Sequence, residues 1–367
     1  MAMSRPMAID LTSRIVVAGA GSIGCYVGGC LAAAGRRVGL LLRPTLADSI
    51  GRHGLRITDL EGADRSLPAS ALTVATDPAA ALAEARIVLV TVKCGATGTM
   101  AGLIARHAPS DAVVVSLQNG VGNLAVLRAH LGVGRGEGQP QEPAQASAPD
   151  PGPLRLVAGM VPFNVVQTRS DATAPRFHRA TSGTLLIGAG EPGLRELLDV
   201  PGMAVAERSD MDAVLWGKLV LNLNNALNAL CDLPLAQELA DARWRRLLAA
   251  QIEEALAVLK ATGIAPTGVE GVPPRAIPFI LRLPDWLFRR VARRMLAIDP
   301  AARSSMWEDL ALRRPTEIDY MQGAILALAE KSGVAAPISE RVLRLIKSAE
   351  SAGAGSTKLR PEQVASV

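Results

Sequence analysis

The hexapeptide Gly19-Ala20-Gly21-Ser22-Ile23-Gly24 follows a β-branched run, Arg14–Ala18 (RIVVA), and opens an apolar helical pattern that reaches about Ala34. A G-x-G-x-x-G spacing in that position requires a strand that turns at once into a helix. The first glycine allows the tight turn, and the second lets backbone N–H groups approach a pyrophosphate. The third lets helix and strand pack closely, and the helix N-terminus supplies positive potential. Glycines also cluster by chance in a chain that holds 34 of them, so the letters alone are weak. Placed between a strand and a helix, they read as a dinucleotide-binding turn made of Gly19, Ala20, Gly21, Ser22, Ile23 and Gly24.

The rest of the first half extends this unit. Arg37–Leu42 (RVGLLL), Ile87–Val92 (IVLVTV), Ala112–Leu117 (AVVVSL) and Leu154–Val166 read as continuous apolar strands between helical patterns. That alternation indicates an α/β fold with an N-terminal Rossmann-like, doubly wound parallel sheet. Gly132–Pro153 is rich in Gly, Pro, Gln and Ala without periodicity, and reads as a flexible insertion, since strand-like sequence resumes directly after it. Beyond Arg208 the β-branched runs vanish. The chain then reads as an all-helical C-terminal domain: Met211–Leu230, Asp241–Thr262, a segment around Trp286–Ala297, Met306–Leu312, Glu317–Lys331 and Ser339–Ser351. Gly263 and Gly333 stand where helix C-caps belong. The expected division is residues 14–208 for cofactor binding, 209–352 for substrate and catalysis, and a flexible tail at 353–367.

Composition narrows the partners. Hydrophobic residues at 49% and charged residues at 20% describe a globular chain, and 367 residues suffice for two cores. A net charge of +5 with no aromatic-interleaved basic patch gives no reason to expect nucleic acid. Cys25, Cys30, Cys94 and Cys231 form no CxxC pair and have no His at ligand spacing, so they read as buried thiols of a reducing compartment, with no metal site. The first fourteen residues hold no apolar signal core. Ile15–Gly35 is uncharged over the length of a membrane span, but its six glycines suit a phosphate-binding turn. A cytoplasmic protein with no membrane partner is expected. One competing reading concerns Pro273–Pro300, where Arg275, Arg282, Arg289, Arg290, Arg293 and Arg294 lie beside Phe279, Trp286 and Phe288. It reads as an arginine-faced surface helix, with membrane-surface association as the alternative.

Strand ends refine the cofactor. An NAD-type site places an acid at the end of the second strand, but no acidic residue lies between Asp10 and Asp48. Arg43 stands there instead, and a guanidinium pairs well with a 2′-phosphate, so NADP(H) is expected. Lys93 ends VLVTVK and Asn119-Gly120 ends VVVSLQNG. Each is either a cofactor-side group or an ordinary strand-end residue.

In Trp216–Asn225, the residues Lys218, Asn222 and Asn225 fall at i, i+4 and i+7, on one face of an apolar helix. That face is either a hydrogen-bond network between domains or a catalytic one. In the second case Lys218, partly desolvated, protonates a developing alkoxide while the asparagines orient substrate oxygens. Ser305-x-x-Glu308 is a capping box, with Ser305 as N-cap, and a capped helix start also receives a substrate carboxylate. Glu317 lies in the first turn of the next helix, where any acid is favourable.

Taken in order, GAGSIG, VTVK, QNGVGN, AGMVPFNVV, WGKLVLNLNNALNAL and SSMWEDLALRRPTEIDY resemble the ketopantoate reductase (2-dehydropantoate 2-reductase) family, from about Arg14 to Glu350 apart from the insertion. The resemblance implies hydride transfer from NADPH to the C2 ketone of a small-molecule 2-oxo acid. It implies Lys218 as general acid, Asn222 as a substrate-binding residue, and Ser305 at the substrate's carboxylate end. Glu317 would hold the nicotinamide ribose, Asn119 would lie near both cofactor and substrate, Lys93 on the cofactor side, and Arg43 on the 2′-phosphate. Some members carry a further substrate-binding Asn where this chain has Ala226, with Asn224, Asn225 and Asn228 around it. A reductase of another 2-oxo acid is therefore the second reading, and a catalytically silent NADP(H)-binding sensor the third. Lys218, Asn222 and Glu317 together argue against silence, because a binding module needs only the first half. Apolar helical domains of this kind often pair, which makes a homodimer a candidate assembly.

Overall fold

A computed structural model describes residues 9–132, 154–168, 172–268, 271–292 and 301–365. Residue contacts divide the chain into two compact units, Met1–Met211 and Asp212–Val367.

The first unit holds every strand among the described residues. They are β1 (Ile15–Ala18), β2 (Val38–Leu41), β3 (Leu55–Asp59), β4 (Asp64–Leu67), β5 (Thr73–Ala75) and β6 (Ile87–Val90). β7 (Val113–Ser116), β8 (Arg155–Met160), β9 (Val165–Thr168), β10 (Arg176–Arg179), β11 (Leu185–Gly188) and β12 (Val205–Arg208) follow. An eight-stranded sheet runs β12-β11-β8-β7-β6-β1-β2-β5. It is parallel throughout except where β8 meets β11. The IVVA, IVLV and VVVS strands are buried along their whole length. A strand buried on both faces cannot alternate apolar with polar, so its sequence is a continuous apolar run.

Two features depart from the sequence expectation. Leu154–Val166 is not one strand. It splits at Val161-Pro162-Phe163 into β8, in the main sheet, and β9, in a separate four-stranded sheet of order β4-β3-β10-β9. Pro162 has no N–H for a ladder, and Phe163 turns inward against Tyr26 with ring centroids 5.6 Å apart. The second sheet escaped notice because its strands are short and mixed in polarity. It is held to the first by the helix Ser22–Ala33. A Cβ on Gly28 would lie 2.6 Å from Leu40, while one on Gly29 would lie 2.8 Å from both Ile57 and Leu55. Adjacent glycines thus let one helix sink between two sheets.

The second unit is helical. Its longest helix, Ala242–Ala261, is capped by the Asp241 carboxylate, which accepts from the Arg243 N–H, and it buries the stripe Leu248, Ile252, Ala255 and Leu259. Arg245 on this helix is 1% exposed. Its guanidinium donates to the carbonyls of Leu239, Ala240, Leu281 and Leu283 and to Asp285, and stacks over Phe288 at 4.3 Å. That anchors the Arg-rich segment, which forms the short helices Ile277–Leu281 and Asp285–Val291; residues 293–300 lie outside the described residues, as does the insertion beyond Gly132.

Residues 353–365 are not a loose tail. Leu359 N donates to Leu230 O at 2.9 Å, Pro361 and Val364 of a terminal helix are buried, and Arg341 donates to Gln363 O. The predicted helix Met211–Leu230 is also two helices, Met211–Asn222 and Asn224–Cys231. No Pro or Gly causes the break. At the junction Leu223 keeps right-handed helical dihedrals with its N–H on Leu219 O at 3.1 Å, and Gln322 Nε2 donates to its carbonyl at 3.0 Å. Among the described residues no helix is long and apolar enough to cross a membrane.

Candidate functional site

The carboxyl ends of β7, β6, β1 and β2, four neighbours in the sheet, carry the first group of predicted residues. After β1 the chain turns at Gly19, with φ +79°, directly under Val92, whose Cγ1 would lie 2.0 Å from any Cβ there. Gly24 faces the sheet, and a Cβ on it would meet Thr91 Oγ1 at 2.5 Å and Val17 Cγ1 at 2.9 Å. At Gly21 a Cβ would meet nothing within 4 Å, so this glycine serves no packing purpose. Gly21 is also the N-cap and supplies no side-chain acceptor. No side chain caps the first-turn N–H groups of Ser22, Ile23 and Gly24 at the positive end of the helix.

Arg43 follows β2 as the N-cap of the helix Pro44–His53. It is exposed and makes no side-chain hydrogen bond or ion pair among the described residues. Arg36, by contrast, donates to the carbonyls of Leu197 and Glu196. Lys93 is exposed just beyond β6, where it caps a 3-10 turn. Asn119 is half-buried beyond β7. Its carbonyl accepts from Asn123 Nδ2 at 2.8 Å and from Cys94 Sγ at 3.0 Å, while its carboxamide has no partner among the described residues.

Behind Asn119 lies a buried lattice that sequence reading missed. Gln118 Nε2 donates to Thr97 Oγ1 at 2.7 Å and Val92 O at 3.0 Å, and Thr97 Oγ1 donates to Asn123 Oδ1 at 2.9 Å. It locks the β6 and β7 exits together. The QNG triplet was visible, but nothing in a linear sequence pairs Gln118 with Thr97.

In the helical unit Lys218 and Asn222 share one helix, half-buried and buried respectively, while Asn225 sits half-buried beyond the break at Leu223. Gly217 explains the neighbourhood of the lysine. A Cβ there would lie 1.9 Å from Thr267 O, so the 266–268 segment crosses the helix at van der Waals contact. The carboxamides of Asn222 and Asn225 have no hydrogen-bond partner among the described residues.

Ser305 is not the N-cap. Ser304 holds that place, its Oγ accepting from Trp307 N at 3.1 Å and donating to Asn225 O at 2.8 Å. Two adjacent serines made the register ambiguous. Ser304 satisfies both the cap and a long-range acceptor, which leaves Ser305 exposed at the first helical position with its hydroxyl uncommitted. Glu317 is not in the first turn of an α-helix either. It precedes a 3-10 turn, Ile318–Tyr320, and the α-helix begins at Gln322. Gln322, through its bond to Leu223 O, ties this segment to the Asn222–Asn225 junction.

Beneath these groups lies a buried acid, Glu238. Burial pushes its carboxyl up to about 8, against hydrogen bonds from Asn228 and Asn224 that pull it down. Burial also pushes the nearby Cys231 thiol up to about 12, helped by Glu238. All four cysteines are buried and none forms a disulfide.

A family profile described as ketopantoate reductase PanE/ApbA matches residues 15–192, and its C-terminal counterpart matches residues 210–350. A 2-dehydropantoate 2-reductase of Halobacterium salinarum is 28% identical over 342 residues, covering 93% of this chain and 100% of that protein. One from Mesorhizobium japonicum is 27% identical, with 91% and 97% covered. Among solved structures, a PanE/ApbA family ketopantoate reductase from Ralstonia eutropha matches at TM-score 0.72 and 26% identity, covering 93% of this chain and 99% of that one. D-mandelate dehydrogenase, solved with NADH and anilino(oxo)acetate, shares the fold at TM-score 0.70 and 19% identity, over 93% and 99% of the two chains.

Proposed function

This chain belongs to the ketopantoate reductase PanE/ApbA family, and on that premise we propose that it reduces 2-dehydropantoate to pantoate with NADPH, in pantothenate and coenzyme A biosynthesis. The observation that carries the reading is the sheet edge. An open glycine with uncapped first-turn N–H groups, an uncommitted arginine and an uncommitted asparagine stand at the ends of adjacent parallel strands. That is the place where doubly wound sheets bind nucleotides.

When bound, the cofactor supplies the hydride. The chain's own groups do the rest. Gly19–Gly24 receive the pyrophosphate on backbone N–H groups, and Arg43 pairs with the 2′-phosphate; no acid stands there to prefer a free 2′-hydroxyl. Lys93, Asn119 and Glu317 complete the cofactor's contacts. Lys218 gives a proton to the C2 oxygen as it gains negative charge. Asn222 and Asn225 direct their carboxamides at substrate oxygens, and Ser305, at a helix start, holds the carboxylate end.

A second reading, reduction of a different 2-oxo acid, is favoured by one observation. Ala226 is fully buried, and of the asparagines around it, Asn224 and Asn228 are bonded to Glu238. Only Asn225 is left to replace the missing carboxamide. Consumption of NADPH by the purified protein, measured against a panel of 2-oxo acids that includes 2-dehydropantoate, tests both readings. Fastest turnover with another acid selects the second, and none with any acid rejects both.

A further inference from the structure

Glu238 lies on the short helix Leu235–Ala240 with 1% of its surface exposed. It forms no ion pair among the described residues, and its partners are amides. Asn228 Nδ2 donates to Oε2 at 2.7 Å, and the Asn224 carboxamide also donates to it. Asn228 is fully buried, with both carboxamide N–H groups and its oxygen engaged. It donates to Leu233 O at 2.9 Å, and its Oδ1 accepts from Ser304 N at 2.7 Å. Ser304 in turn donates through Oγ to Asn225 O at 2.8 Å. An unbroken set of buried hydrogen bonds thus joins one carboxyl to the backbone of Asn225 and to the residue before Ser305. Nothing in helix capping requires this, since Ser304 caps its helix through its own hydroxyl.

We propose that Glu238 is a positioning residue for 2-oxo acid binding, holding Ser305 and Asn225 in register through Asn228 and Ser304; this rests on the assignment of those two side chains to the substrate.

The protonation state belongs to the argument. Asn224 Oδ1 is buried without a partner. A neutral carboxyl, or an amide in its place, has a donor to offer it, whereas a carboxylate has none. The charged and titratable groups on the surrounding elements are the Cys231 thiol, Asp232, paired with Arg303 and Lys358, and Arg245, which donates to the Leu239 and Ala240 carbonyls and pairs with Asp285. None of them neutralises a carboxylate at Glu238 directly, so its ionisation leaves an unpaired buried charge at the junction.

The test compares the parent protein with Glu238→Gln, Glu238→Ala and Asn228→Leu across neutral to alkaline pH. It follows kcat, the KM for the 2-oxo acid and the affinity for NADPH. Leaving buried partners unsatisfied at this junction is expected to raise the 2-oxo acid KM about tenfold in Glu238→Ala and Asn228→Leu. Affinity for NADPH should stay at the parent value. The parent's KM should rise as pH passes about 8, and Glu238→Gln should hold a near-parent KM without that rise. A parent KM in Glu238→Ala, or an alkaline rise that survives in Glu238→Gln, overturns the proposal. A second readout is independent of turnover. Trp307 donates from its backbone to Ser304 and from Nε1 to Asp232, and its emission is assigned by comparison with Trp307→Phe. Its emission should titrate near pH 8 in the parent and not in Glu238→Gln. If no 2-oxo acid is reduced, the functional reading fails on the first measurement. The fluorescence titration then still decides the coupling, and a flat Trp307 signal rejects it.

Discussion

Gly21→Ala and Gly24→Ala should separate cofactor binding from folding within one turn of chain. At Gly21 the backbone φ of −85° is open to any L residue and the new methyl meets nothing within 4 Å. The unfolded chain loses freedom, worth about 0.4–1 kcal/mol, which roughly offsets the cost of about 1 kcal/mol or less for Ala in place of Gly at an N-cap, so stability should stay close to the parent's. At Gly24 the methyl would lie 2.5 Å from Thr91 Oγ1, 2.9 Å from Val17 Cγ1 and 3.2 Å from Ala20 Cβ. Thr91 cannot simply swing away, because its hydroxyl donates to Gly19 O at 3.2 Å. Overpacking of this kind costs about 1–3 kcal/mol, against about 1 kcal/mol of helix propensity gained. Net destabilisation is expected. NADPH binding reverses the order. The methyl of Gly21→Ala occupies the space a pyrophosphate must enter, and losing one charge-assisted hydrogen bond, worth about 1.5–3 kcal/mol, weakens binding tenfold or more. Thermal unfolding with and without NADPH reads both effects. A ligand at a hundred times its Kd stabilises by about 2.7 kcal/mol, and Gly21→Ala should lose about half of that or more at the same concentration. A Gly21→Ala variant with the parent's response to NADPH, or one less stable than Gly24→Ala without it, would refute the reasoning.

Further outcomes follow from other positions. Lys218→Ala should keep NADPH affinity while turnover falls by roughly 10²–10⁴; normal steady-state turnover would place the proton donor elsewhere. Arg43→Ala should weaken NADPH far more than NADH in equilibrium titrations, and equal losses would remove the basis for the 2′-phosphate assignment. Gly217→Ala, with its Cβ 1.9 Å from Thr267 O, should lower the melting temperature sharply, because a backbone carbonyl cannot rotate aside as a side chain can. Glu238→Gln should change the dependence of stability on pH. The carboxyl rises from its ordinary 4.5 to about 8 on folding, so between those values the folded state holds a proton that the unfolded chain has released. Stability therefore falls with rising pH through that window and levels off above it. The amide removes the fall, so denaturant titrations should match the parent near the low end and favour Glu238→Gln by about a few kcal/mol at alkaline pH.

What the sequence disclosed follows the range of the interactions involved. β1, β6 and β7 were legible because burial on both faces writes an uninterrupted apolar run into each strand. The turn at Gly19–Gly24 was legible because it joins a strand to a helix within a few residues, although the side chains that press on Gly19 and Gly24 come from Val92 and Thr91. The second sheet was not, since β3, β4, β9 and β10 are three-way compromises between pairing, solvent and the wedge helix, and their alternation is short. Contacts with distant partners were invisible for the same reason. Gln322 reaches the Leu223 carbonyl from 99 residues away, and the cap falls on Ser304, whose hydroxyl also donates to Asn225 O, 79 residues away. The final residues appeared tail-like by composition, yet Val364 and the bond from Leu359 to Leu230 fix them to the helical unit.

The asparagines of the Lys218 helix show how far residue type alone can carry a site. Four of them, Asn222, Asn224, Asn225 and Asn228, look equivalent in sequence, and helical periodicity picks out Asn222 and Asn225 only under the assumption of one continuous helix. The break at Leu223 removes that assumption, and what sets these two apart in the structure is different. Asn224 and Asn228 are committed to Glu238, an acid that no pattern in the sequence marks as buried. Once that acid is placed, two carboxamides are consumed by the fold and two remain uncommitted. The pair left over, rather than the i, i+7 spacing, is what gives the proposed substrate face its donors, and it makes Glu238 the residue on which their identity depends.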